Sequence, residues 1–93
     1  MDFEWDEDKN DINIAKHGID FRDAVRVFDD EHASTREDTR TDYGESRIQL
    51  LGATTSHVLF VVYTERHGDT IRIISARLAT KPEKKMYMSG SFY

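Results

Sequence analysis

The sequence contains no cysteine and only one proline in its 93 residues. Without cysteine the chain has neither disulfides nor thiolate zinc sites, which fits a reducing compartment such as the cytoplasm. Its longest apolar run, VLFVVY, is far too short to cross a bilayer. The acidic start, MDFEWDEDKND, also lacks the apolar core of a signal peptide. We therefore expect a cytoplasmic protein with no membrane partner, folded as a single domain over residues 1–93.

The chain also lacks an overall basic charge, since its formal net charge at pH 7 is −5. This value argues against a general nucleic-acid binder, but it conceals an asymmetry. Residues 1–46 carry 6 Lys/Arg against 15 Asp/Glu, a net charge of −9, whereas residues 47–93 carry 7 against 3, a net charge of +4. The two halves could therefore face different partners.

Sequences typical of metal or phosphate sites are missing as well. Asp6, Asp8 and Asn10 match the opening of a calcium loop, but Asp11 replaces the required glycine and His17 stands where the final glutamate belongs. The four histidines show no ligand spacing, and there is no glycine-rich phosphate loop. We expect no metal and no cofactor.

Local signals predict an α+β fold. A short strand at 2–5 precedes a helix capped by Asp6 or Asp8 and stopped by Gly18, and a second helix begins after Asp20. The period then changes to two, which predicts an antiparallel meander of three to four strands. A last helix should begin at Lys81 and end at about Met88, and we expect the helices to pack on one face of the sheet. The predicted strands of the meander are 34–40, 46–53, 57–64 and 70–79.

Arg77 ends the apolar strand segment IRIISAR (71–77). Counting by twos puts Arg77 on the same face as Ile71 and Ile73. Two interpretations follow. The guanidinium is ion-paired to a helix carboxylate, or it is held for a phosphate group, which its planar fork binds through two oxygens.

Other basic and proton-transferring groups complete what metal-free RNA cleavage requires: an acceptor for the 2′-hydroxyl proton, a cation for the phosphorane and a donor for the leaving oxygen. Each has a structural alternative. His17, beside Gly18, could simply bond the last carbonyls of its helix. Glu45 and Arg47 share a strand face and could pair with each other.

The predicted strands place these groups at two ends of the sheet. If RHGD (66–69) closes a hairpin, Arg66 lies beside the turn. Arg77 is then eight residues beyond Asp69 at the end of the turn, or about 26 Å from it at roughly 3.3 Å per residue. A single site with both arginines is therefore not expected. One cluster should hold Glu45, Arg47 and Arg66 near the Gly68 turn, and the other His57, Arg77, Lys81, Lys84 and Tyr87.

Five stretches in order give the chain a resemblance to a known family: FEWDEDKNDINIAKHGIDF (3–21), VFDD (27–30), YGESR (43–47), VVYTER (61–66) and IRIISARLATKPEKKMY (71–87). Together they resemble BrnT, the toxin family of a type II bacterial toxin–antitoxin system. The resemblance implies a RelE-like fold and ribonuclease activity that inhibits translation. It also implies neutralisation by a BrnA-like ribbon-helix-helix antitoxin, with operator DNA bound only through that antitoxin in autoregulation of the operon.

The sequence therefore predicts a metal-independent endoribonuclease, with a non-enzymatic corepressor module as the alternative. In the first case RNA and the antitoxin are the partners. The candidate catalytic residues are Arg77, His17, His57 and Arg66, and the candidate RNA-binding residues are Lys9, Arg47, Glu45, Lys81, Lys84 and Tyr87.

Overall fold

The computed structural model describes residues 1–40, 42 and 44–93, so that Tyr43 of the YGESR stretch lies outside the described residues. The elements follow the predicted order. They are β1 (Asp2–Glu4), α1 (Glu7–His17), α2 (Phe21–Ala24) with a 3₁₀ helix (Val25–Asp29), β2 (Ser34–Glu37), β3 (Ile48–Ala53), β4 (Val58–Arg66), β5 (Thr70–Leu78) and α3 (Lys81–Ser89).

One sheet contains all five strands, in the order β1-β5-β4-β3-β2. The strands β2 to β5 form the predicted antiparallel meander, and β1 adds to β5 in parallel. The α+β prediction is confirmed. None of the helices in the described part of the chain has the length and apolarity that a membrane span requires.

The helix ends follow local capping chemistry. The Asp6 carboxylate accepts hydrogen bonds from the backbone N–H groups of Asp8 and Lys9, and Gly18 ends α1 in the left-handed conformation. Asp20 caps α2 in the same way as Asp6 caps α1. Because such contacts span only a few residues, the sequence alone predicts them well.

The prediction that the helices share one face of the sheet is wrong. Leu50 packs with α2 and the 3₁₀ helix, whereas the next residue, Leu51, packs with Met86 of α3 and with Phe92. Successive residues of a strand point to opposite faces, so α3 and the chain end cover the second face. The apolar residues of β3 and β4 lie on both faces of the sheet. This pattern did not indicate which helix covers which face.

A β-bulge in β5 overturns the predicted position of Arg77. Val62 pairs with Ser75 while Tyr63 pairs with Ile73, so Ile74 is an extra residue in β5. A bulge shifts the alternation of side chains by one residue. Arg77 is therefore opposite Phe60, on the α3 face, rather than on the face that carries Ile73.

Asn13 of α1 takes the place of a missing strand at the outer edge of β5. The paired residues of β1 extend only to Arg72. Beyond that point, the Ala76 N–H donates to Asn13 Oδ1 at 3.1 Å, and Asn13 Nδ2 donates to the Ala76 carbonyl at 2.8 Å and to the Ile19 carbonyl at 2.8 Å. These bonds fix α1 beside the half of β5 that leads to Arg77.

Gly52 of β3 lies where the 3₁₀ helix crosses the sheet. A Cβ atom there would come within 2.9 Å of Leu50 Cδ2 and 3.0 Å of Val27 Cβ. We expect Gly52→Ala to lower the free energy of unfolding by about 2 kcal/mol, because overpacking outweighs the better strand propensity of alanine. Urea denaturation measures the effect. The control Ser56→Ala, in the exposed turn after β3, should stay within about 0.5 kcal/mol, and a stabilised Gly52→Ala protein would contradict the close approach.

Candidate functional site

The hairpin end of the sheet holds the first predicted cluster. Arg66, the last residue of β4, donates from Nη2 to Glu45 Oε1 at 3.2 Å. Arg47 donates from Nε to the other oxygen of the same carboxylate at 3.4 Å. The predicted gathering of these three residues near the Gly68 turn is confirmed. One carboxylate thus bridges two guanidiniums.

Arg77 lies at the other end of the sheet, and its guanidinium contacts three residues. Its guanidinium carbon lies 4.1 Å from the centre of the Phe60 ring, which is a cation–π contact. Nη1 and Nη2 donate to the two oxygens of Glu83 at 2.7 and 3.0 Å, and Nη1 also donates to the Leu78 carbonyl at 3.2 Å. The Arg77 side chain is nevertheless 32% exposed.

The ion pair with Glu83 of α3 corresponds to the first interpretation of Arg77, in which its guanidinium pairs with a helix carboxylate. The Arg77 guanidinium holds the pKa of the Glu83 carboxyl below its ordinary value, although burial opposes this effect. Glu83 also completes the capping box of α3 by accepting from the Thr80 N–H at 2.8 Å. Because Glu83 is a carboxylate on the guanidinium fork, it occupies the position that two phosphate oxygens would take.

His57 lies in a loop between two cavities beside Arg77's end of the sheet. The loop is closed by a hydrogen bond from the Thr54 N–H to the His57 carbonyl at 2.8 Å. A cavity of about 310 Å³ on one side contains Arg26, and a cavity of about 430 Å³ on the other contains Lys84. The exposed His57 thus lies between a cavity that holds both Asp23 and Arg26 and a cavity that holds Lys84. Sequence reasoning missed Arg26, because no local pattern connects it with the loop.

The residues predicted on α1 have different environments. Lys9 is exposed and His17 is half-buried at the end of the helix. Asn13, which lies about one helical turn from each of them, is buried and bonded to β5. Gly18 lines the same cavity as His57, so the end of α1 and the His57 loop meet at one cavity.

Tyr87 of α3 is engaged by a carboxylate rather than open to solvent. Its hydroxyl donates to Asp30 Oδ2 at 2.6 Å, and this bond raises the pKa of Tyr87 to about 12. Burial tends to raise the pKa of Asp30, but the hydrogen bonds from Tyr87, Ala53 and His32 outweigh burial and leave it below its ordinary value. The contact ties α3 to the end of the 3₁₀ helix. Lys81, the first residue of α3, is exposed.

Carboxylates and histidines do not gather into a metal site. Within residues 1–40, 42 and 44–93, no group of three or more His, Cys, Asp or Glu side chains could hold a metal ion.

Comparison with known proteins gives this arrangement a family. The family model for the "ribonuclease toxin, BrnT, of type II toxin-antitoxin system" matches residues 5–83. The chain belongs to the BrnT family. Family membership confirms the resemblance seen in the sequence and implies an RNA substrate and an antitoxin partner. The matched range includes His17, His57, Arg66 and Arg77.

A solved BrnT structure agrees with the family assignment. The 1.1 Å crystal structure of the Brucella abortus ribonuclease toxin BrnT is 26% identical to this chain and has a TM-score of 0.64. The match covers 87% of this chain and 99% of the Brucella chain. No curated protein matches the sequence.

Proposed function

We propose that this BrnT-family chain is an endoribonuclease that cleaves RNA without a metal ion and thereby inhibits translation in the cytoplasm. The 2′-hydroxyl would attack the adjacent phosphate, so the reaction needs a base, an acid and a cation for the phosphorane. The observation that carries the proposal is the Arg77 guanidinium, which is fixed on Phe60 with a carboxylate across its fork. Phosphate oxygens would replace that carboxylate.

We propose roles for the remaining predicted residues from their positions in the fold. His57 and His17 are the candidates for moving protons, because His57 and the residue after His17 line one cavity. Lys84, in the adjoining cavity, would contact the RNA backbone. Arg66 lies at the hairpin end beside Glu45, so we assign it to RNA positioning or to antitoxin contact rather than to the reacting phosphate. The remaining proposed RNA contacts are Lys9, Arg47, Glu45, Lys81 and Tyr87.

The antitoxin is the second part of the proposal. A BrnA-like ribbon-helix-helix protein would cover the basic residues and neutralise the toxin. The pair would repress its own operon, and the toxin would meet operator DNA only through the antitoxin. The RelE-like character of the fold stays a prediction.

A non-enzymatic corepressor is the second candidate, and one observation favours it. Within the described part of the chain, six of the eight arginines form ion pairs with carboxylates. Both arginines among the predicted catalytic residues belong to this paired set. A protein whose arginines are mostly paired in this way could act through protein contacts alone.

Incubation of the purified protein with total RNA in EDTA separates the two candidates. We expect RNA cleavage that EDTA does not suppress, with products that carry 2′,3′-cyclic phosphate ends. Intact RNA, both free and in a translating extract, would favour the corepressor. Cleavage only after addition of a divalent metal would contradict metal independence, and cleavage confined to the translating extract would show that the toxin acts on ribosome-bound message.

A further inference from the structure

Arg36 of β2 is a fixed guanidinium outside the predicted site. Its guanidinium carbon lies 4.0 Å from the centre of the Phe92 ring, and its Nε donates to Gln49 Oε1 at 2.7 Å. Both supports are rigid, because Phe92 and Gln49 are buried. The side chain is half-buried, so its two terminal nitrogens are held at the surface in a defined direction.

The charge of Arg36 is not neutralised by a carboxylate. Among the residues that the structure describes, Arg36 and Arg26 form no ion pair, and Arg26 also lacks the hydrogen bond and ring contact that fix Arg36. Arg36 therefore combines a fixed position with a charge that no ion pair in the described part of the chain neutralises. The ion-paired arginines are Arg22, Arg40, Arg47, Arg66, Arg72 and Arg77.

A cavity of about 460 Å³ lies in front of Arg36. Tyr93, whose surface is 90% exposed, lines this cavity and offers an aromatic ring to solvent. Glu37 contributes a carboxylate to the lining. Arg40 also lines the cavity, and its guanidinium forms a bidentate ion pair with Asp38. An unpaired guanidinium beside an exposed ring suits a nucleotide, because one group binds phosphate and the other stacks on a base.

The Arg36 cavity lies on the same face of the sheet as Arg77. The Phe92 ring that supports Arg36 meets the Phe60 ring that supports Arg77, with 6.3 Å between the ring centres. The two guanidiniums thus lie at the ends of a row of two buried rings. A single RNA strand that places one phosphate on Arg77 would pass over the chain end that covers these rings to reach Arg36.

We propose that Arg36 binds a second phosphate of the RNA strand, away from the cleaved bond, and that Tyr93 stacks on a base next to it. The inference rests on the proposed ribonuclease function and extends it to a substrate subsite. Because the subsite does not touch the reacting phosphate, it acts on RNA affinity rather than on the chemical step. Within the described part of the chain, no ion pair of Arg36 needs to be broken for it to bind a phosphate.

The test uses an RNA that cannot be cleaved, so that its outcome is independent of catalysis. A fluorescein-labelled, fully 2′-O-methylated 12-mer of mixed sequence is titrated with the protein, and binding is read by fluorescence anisotropy at several salt concentrations. We expect Arg36→Ala to weaken binding about tenfold and to lower the slope of log K against log salt by about 0.7, the value for one lost phosphate contact on a single strand.

The matched control is Lys16→Ala, which removes one exposed positive charge from the last turn of α1 and should leave affinity and slope unchanged. Arg36→Gln removes the charge but retains a polar side chain beside Gln49. Tyr93→Ala removes an exposed side chain that does not pack in the core. This substitution should weaken RNA binding about fivefold, because the stacking of a base on the Tyr93 ring is lost. Thermal unfolding of each variant checks that the fold is retained.

Three results would overturn the subsite. The first is that the Arg36 and Tyr93 variants bind as the Lys16 variant does, and the second is that the unaltered protein fails to bind the 12-mer. The third is that a poly-glutamate peptide of equal charge binds as tightly and with the same dependence on Arg36, which would assign the cavity to an acidic protein. If the first of these results is accompanied by continued cleavage of ordinary RNA, the subsite is overturned while the ribonuclease function stays intact.

Discussion

Replacing Arg77 by alanine is expected to lower the rate of RNA cleavage about 100-fold or more and to restore growth to cells that express the protein alone. The guanidinium would stabilise charge that develops on the phosphorane, and loss of one such fixed electrostatic contact typically has an effect of this size. Single-turnover cleavage of an RNA oligonucleotide measures the chemical step separately from binding.

The companion variant is Glu83→Gln, which is nearly isosteric and breaks the ion pair while it leaves the guanidinium on Phe60. If Arg77 serves the reaction, the Glu83 variant should retain most of the activity that the Arg77 variant loses. An equal loss in both variants would mean that the ion pair only holds α3 in place. Urea denaturation of both proteins excludes a trivial loss through unfolding.

The largest expected effect on stability comes from Asn13→Ala. The Asn13 side chain is only 6% exposed and satisfies both backbone groups of Ala76 as well as the Ile19 carbonyl. Each buried group that is left without a partner costs about 1–3 kcal/mol. We expect the free energy of unfolding to fall by about 3 kcal/mol and the melting temperature by more than about 10 °C.

Asp11→Ala is the control for Asn13→Ala, because Asp11 is an exposed residue of the same helix. Both substitutions replace a short polar side chain by alanine. It should change the free energy of unfolding by no more than about 0.5 kcal/mol. Amide hydrogen exchange gives a local measurement, since the Ala76 N–H should exchange much faster in the Asn13 variant. Unchanged exchange at Ala76 would show that another group, or water, replaces the asparagine.

Predictions from the sequence were most accurate where the determining contacts are local. The caps at Asp6 and Asp20 act within three residues of the helix start, and Gly18 ends α1 through its own backbone conformation. The meander followed from alternation and turn residues, and the hairpin cluster of Glu45 and Arg66 followed from the meander. These inferences needed no knowledge of which distant segments meet.

Predictions failed where a strand irregularity without a sequence signal, or a contact with a distant segment, changes the outcome. The extra residue Ile74 moves Arg77 to the other face, and nothing in the segment IRIISAR signals a bulge. Asn13 is a polar residue of α1, yet it is buried because β1 is too short to cover the outer edge of β5. The assignment of α3 to the second face had no local signal either.

The sequence by itself determined the family, the order of the elements and the opposite ends of the sheet at which Arg66 and Arg77 lie. Only the tertiary structure decided that Arg77 is paired with Glu83, that Asn13 completes β5 and that Arg36 forms no ion pair in the described part of the chain. The physical reason is the range of the interactions. Capping and alternation act within a few residues, whereas the partner of a charge depends on strand register and on the segments that packing brings together.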